Sequence, residues 1–181
     1  MFLFCPLCST LAVTNMNSER FSRWKSWLAR ESLNHMRFPG VYALAISTDD
    51  LSDQQFTWLP QIVYFGMTNS ISGLKGRLKQ FDNTINGKTG HGGADRFRHD
   101  FPQANELHSR LYVAILPFEC DVTSSTLADL TTMGSVAKAE YECFAQYSKL
   151  FGHLPKYNDK KNSPKFDKAA VMKEQLETGL S

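Results

Sequence analysis

The sequence predicts one α/β (α+β) domain, a small three-stranded and mostly antiparallel sheet flanked by helices. Three observations carry that expectation. Two apolar runs, Val41 to Ser47 and Gln61 to Gly66, are separated by the polar, acidic stretch Thr48 to Gln55, which is most simply an antiparallel pair. A third run, Ser109 to Phe118, sets Leu111, Val113 and Ile115 on one face and Tyr112, Ala114 and Leu116 on the other, so both faces are buried. Around these runs, leucines and aromatics recur at helical spacing. A chain of 181 residues can bury a core without disulfides, and residues 1–181 are read as a single domain.

Taken in order, Asn17 or Ser18 can cap a helix reaching about Asn34. Phe21, Trp24 and Leu28, with Trp27 beside them, form its expected buried stripe, and Arg20, Arg23, Lys25 and Arg30 line the rest. The aromatics make it a core-packing helix rather than a DNA-reading one. Pro39-Gly40 breaks the chain and opens strand one. Leu59-Pro60 forms an edge before strand two, and Thr68-Asn69-Ser70 is turn chemistry, with Ser70 or Ser72 able to cap a helix over Gly73 to Asp82. On that helix Leu74, Leu78 and Phe81 share one side, Arg77 lies beside them, and Lys75 and Lys79 lie off the stripe.

Asn86 to Gly93 holds four glycines and no GxxxxGK[ST] pattern, so it is expected to be a mobile loop approaching a nucleic-acid backbone rather than a P-loop. Ala94 to Phe101 reads as a short polar helix carrying Arg96, Arg98 and His99, with His91 and His99 as surface histidines. Thr123 to Thr132 has the length of a short helix. Gly134-Ser135 is then expected to cap a longer one, Val136 to Phe151, stopped by Gly152 with Pro155 beyond. Lys165 to Glu177 predicts a last amphipathic helix, spanning about 164–178.

The net charge of +2 announces no partner by itself. Its distribution says more: six Lys or Arg against two Asp from Lys75 to Arg98, and six Lys against two Asp from Lys156 to Lys173. Such clusters can track phosphate. Cys5-Pro-Leu-Cys8 has metal-ligand spacing, but no second pair completes a zinc site. Cys120 and Cys143 read as small core hydrophobes. Residues 1–16 are apolar without a basic start or secretory pattern, and are read as a disordered leader rather than a signal or membrane span. The expected setting is reducing, intracellular and cytoplasmic.

Gly40-Val41-Tyr42 on strand one, Tyr64-Phe65-Gly66 on strand two, Arg77 on the next helix, Glu140 on a later helix and Asn158 beyond it occur in an order that resembles the GIY-YIG nuclease superfamily. The likeness covers Phe38 to Asn158, a GIY-YIG-like core over 38–160. It implies an endonuclease that hydrolyses phosphodiester bonds with Mg²⁺ or Mn²⁺, with nucleic acid, DNA first, as substrate. It also implies catalytic roles for Tyr42, Tyr64, Arg77, Glu140 and Asn158, with Glu140 as metal ligand and Tyr42 as the first candidate base, Tyr64 or His91 next. Lys75, Lys79, Lys88, His91, Arg96 and Arg98 are the expected nucleic-acid contacts. No membrane partner is expected; a protein partner or a homodimer for target selection is.

The chemistry agrees with the residue types. Attack on a phosphodiester loads charge on phosphoryl oxygens, which a cation and a guanidinium fork stabilise. One carboxylate with water suits a hard divalent ion. A phenol, with a reference pKa of about 10, needs cationic neighbours to act as a base near neutrality. Ala137, Tyr141, Phe144 and Ser148 are the expected inward stripe beside Glu140, with Glu142 as the weaker alternative ligand. Two other readings stay open: a GIY-YIG-like nucleic-acid-binding module that has lost turnover, and a protein in which Glu140 and Arg77 are only an ion pair.

Overall fold

A computed structural model describes residues 18–88, 90–167 and 169. The leader with Cys5 and Cys8, and most of the expected final helix, lie outside the described residues. The protein is a mixed α/β fold built on one antiparallel sheet of four strands rather than three: β1 (Lys25–Ser26), β2 (Gly40–Ile46), β3 (Ile62–Thr68) and β4 (Leu111–Pro117), in the order β1-β4-β2-β3. β2 lies centrally, every residue from Gly40 to Ala45 being buried, as its unbroken apolar run requires.

The added strand replaces part of the helix expected from Asn17 to Asn34. That segment forms a short 3₁₀ turn at Ser18–Arg20, pairs Lys25 with Val113 and Ser26 with Tyr112, then makes a second 3₁₀ turn at Trp27–Ser32. Phe21 and Trp24 pack on one face of the sheet and Trp27 on the other, while Leu28 is 70% exposed. A helix would have put these aromatics on one side; a strand at the sheet edge lets the chain cross from one core to the other.

Among the described residues four helices cover the sheet: α1 (Gly73–Ile85), α2 (Ala94–Asp100), α3 (Ala104–His108) and α4 (Leu127–Phe151). α1 buries Leu74, Leu78 and Phe81 as expected, although Ser72 makes no side-chain cap. The first and second expected helices of the 123–151 region are one. The Thr126 hydroxyl accepts the Asp129 N–H at 3.2 Å and starts α4, which runs through Gly134 to a left-handed Gly152, φ 78°. A mid-helix glycine costs only about 1 kcal/mol, less than a new set of unpaired helix ends. The buried stripe of α4 is Val136, Ala139, Cys143 and Tyr147, one position round from the expected one; Tyr141 is 71% exposed. Cys143 is buried and Cys120 half-buried. No described helix is long and apolar enough to cross a membrane.

Candidate functional site

The tyrosines come together because β2 and β3 pair with Tyr42 opposite Gly66 and Leu44 opposite Tyr64. Their ring centroids are 5.9 Å apart. A Cβ at position 66 would lie 2.5 Å from the Tyr42 hydroxyl and 2.8 Å from the Tyr64 ring, so only glycine leaves room for the pair. Gly40 is a different case: a Cβ there would meet the Leu116 carbonyl of β4 at 2.4 Å. Gly93 lets the Tyr64 hydroxyl approach, 2.7 Å from where its Cβ would stand.

His91 is not the surface residue its glycine-rich surroundings predict. It is 1% exposed, and its N–H donates to the Thr84 hydroxyl at 3.1 Å. The ring Nδ1 accepts from the N–H groups of Gly93 at 3.2 Å and Ala94 at 3.1 Å. The neutral ring therefore carries its proton on Nε2, which lies 2.9 Å from the Tyr42 hydroxyl. Burial, with the Arg77 charge adding, lowers the His91 pKa to about 4 and keeps the ring neutral.

The Tyr42 hydroxyl lies against His91 Nε2 at 2.9 Å, and the Arg77 guanidinium and the Tyr64 hydroxyl also bear on it. Burial pushes the Tyr42 pKa well above its usual value, Tyr64 adds to the rise, and Arg77 offsets only part of it. Arg77 is the cationic neighbour that a phenol base needs, and at Tyr42 burial outweighs it. Burial raises the Tyr64 phenol too, but Arg77, the bond from Tyr42 and Arg96 all pull it back, while Glu140 pushes it up.

Glu140 stands half-buried at the margin of the α4 stripe. Burial raises its pKa; Arg77, Lys160 and a hydrogen bond from the Met67 backbone lower it. It forms no salt bridge with Arg77 among the described residues. Arg77 donates from Nη1 to Gln80 at 3.2 Å, and its Nε is buried with no hydrogen-bond partner among the described residues. Asn158 holds a peptide of β3: its Oδ1 accepts the Phe65 N–H and its Nδ2 donates to the Phe65 carbonyl, each at 2.8 Å. Tyr157 N–H donates to the Val63 carbonyl at 2.9 Å, so this segment closes the outer edge of β3.

Tyr64, Arg77, Arg96, Glu140 and Asn158 line one cleft of about 480 Å³, with Gly92, Gly93, Tyr141, Phe144, Tyr157, Lys160 and Lys165. Tyr42 and His91 sit behind Tyr64. Lys75, Lys79, Lys88 and Arg98 are not part of the lining; Lys75 faces Glu31 at 3.9 Å, and Arg98 covers the Phe166 ring at 4.1 Å. Glu142 pairs instead with Lys138 at 3.5 Å. Lys160 and Lys165 belong to the basic tail noted in the sequence, but nothing local to them marks them as cleft residues.

Glu140 is the sole acid of the lining, and no group of three or more His, Cys, Asp or Glu that could hold a metal occurs among the described residues. The donor set fits a hard ion held by one carboxylate and water, because Glu140 has no salt-bridge partner among the described residues and opens on a polar cleft. No protein-family model matches the chain, and neither a curated protein nor a solved structure shows significant similarity to it.

Proposed function

We propose that this protein is a metal-dependent endonuclease of GIY-YIG type that hydrolyses phosphodiester bonds, with DNA as the expected substrate. One observation carries the reading. Five residues spread from Tyr42 to Asn158, picked out by their order in the chain, meet around a single polar cleft, four on its lining and Tyr42 immediately behind. The cleft is rich in cations, with Arg77, Arg96, Lys160 and Lys165 against Glu140, as a phosphate site requires.

Arg77 takes the scissile phosphate, since its guanidinium lines the cleft. Glu140 would hold Mg²⁺ or Mn²⁺, which would supply Lewis-acid stabilisation of the phosphoryl oxygens. Tyr64, rather than Tyr42, takes the proton of the attacking water. It lines the cleft, whereas Tyr42 is fully buried with its hydroxyl against His91. Tyr42 donates to the Tyr64 oxygen and so favours its phenolate, and His91 fixes Tyr42. Asn158 positions β3, and with it Tyr64, by holding the Phe65 peptide.

The test is cleavage of duplex, branched and single-stranded nucleic acid by the purified chain with Mg²⁺ or Mn²⁺. Glu140→Ala should abolish cutting while binding persists. No cutting on any substrate, with salt-dependent binding retained, would leave a binding module in its place.

A further inference from the structure

Two cations from distant parts of the chain meet at one peptide on the cleft wall. Arg96, on α2, is 8% exposed; its Nη1 donates to the Gly92 carbonyl at 3.2 Å, and its Nε is buried with no hydrogen-bond partner among the described residues. Lys165 comes from the C-terminal segment, and its Nζ stands 3.1 Å from where a Gly92 Cβ would be. Its neighbour anchors it: the Phe166 N–H donates to the Asp95 carbonyl at 2.9 Å, and the Phe166 ring lies beneath Arg98.

Neither Arg96 nor Lys165 has a salt-bridge partner among the described residues. A buried guanidinium is costly unless paired, and two like charges brought to one residue repel. An anion completes such a site. Different elements carry it: Arg96 on α2 and Lys165 on the C-terminal segment gather at Gly92, whereas Arg77 stands on α1 and donates to Gln80.

We propose that Arg96 and Lys165 form a second phosphate subsite, which takes the backbone phosphate next to the one held at Arg77 and Glu140. The inference rests on the nuclease reading of the cleft and adds that the cleft grips two consecutive phosphates of one strand. Arg96 supplies a planar fork and Lys165 a mobile point charge, the pairing that suits a diester oxygen pair. A side chain at position 92 would press on the Lys165 ammonium, so glycine there lets Lys165 come close.

The experiment titrates thymidine 3′,5′-bisphosphate and thymidine 5′-monophosphate into the full chain by calorimetry, in metal-free buffer. The bisphosphate should bind about tenfold tighter or more. Lys165→Ala and Arg96→Gln should each bring it to within about twofold of the monophosphate, whose own affinity stays. Lys165 is exposed, so its variant reads out even where Arg96→Gln fails to fold. Equal affinity of wild type for the two probes overturns the subsite, as do variants that weaken both probes alike, which would place Arg96 and Lys165 on the Arg77 phosphate. A bisphosphate preference lost in the variants, in a protein that cuts nothing with Mg²⁺, upholds the subsite and removes the nuclease reading. Cutting without that preference does the reverse.

Discussion

The Tyr42 hydroxyl lies 2.9 Å from Nε2 of His91, and both side chains are sealed from solvent. Burial holds the His91 pKa at about 4, against about 6.5 for an unfolded histidine. Between those values the unfolded chain binds the extra proton, so the stability contributed by neutral His91 is complete above about pH 6.5 and drains away as pH falls towards about 4. Denaturant unfolding at about pH 7 and about pH 4 should differ by on the order of 2 kcal/mol more in wild type than in His91→Gln. Parallel losses in the two proteins would assign the acid sensitivity elsewhere.

The two phenols should separate kinetically. Tyr64→Phe should lower kcat by roughly 10²–10⁴, the usual span for losing a positioned base. Tyr42→Phe removes a hydrogen bond to Tyr64 and should lower kcat by on the order of tenfold, given about 1 kcal/mol for such a bond. Single-turnover cleavage checks this, and a larger loss at Tyr42 than at Tyr64 would reverse the assignment.

Gly66→Ala puts a methyl group 2.5 Å from the Tyr42 hydroxyl. The ring pair must shift, at a cost of about 1–3 kcal/mol for overpacking a tight interior. Both the melting temperature and cleavage should fall. An unchanged melt would mean that the rings have slack which the close contacts deny.

Asn158→Ala removes both bonds to the Phe65 peptide and should destabilise the fold by about 1–3 kcal/mol. Asn158→Asp keeps the acceptor but turns an anion on the Phe65 carbonyl, so it should be the worse variant at neutral pH and recover as the solution is acidified. Thermal melts across pH distinguish a clamp from a substrate contact, because a substrate contact would leave stability unchanged.

The parts of this architecture that follow from local pattern were legible. The β2–β3 pairing, the apolar face of α1 and the Gly152 stop each depend on neighbours in sequence. Phe21, Trp24 and Trp27 misled because three-residue spacing suits a helix as well as a strand that crosses between two cores. Gly134 misled because a glycine marks a boundary only where packing fails to carry the helix across it. His91 was invisible as a buried group: its burial comes from contacts with Tyr42, Thr84 and the Gly93–Ala94 amides, which a loop composition cannot disclose. Glu140 sits beside the buried row of α4 rather than within the expected inward stripe, because that row is Val136, Ala139, Cys143 and Tyr147.

The margin of β3 is finished by side chains: Asn158 on the Phe65 peptide and Glu140 on Met67. A sheet capped in this way offers no template to a further polypeptide, so self-association by strand addition is blocked there as long as both caps hold. Loss of either cap would expose hydrogen-bonding backbone as well as disturb the cleft, and the soluble lifetime of such variants should shorten along with their turnover.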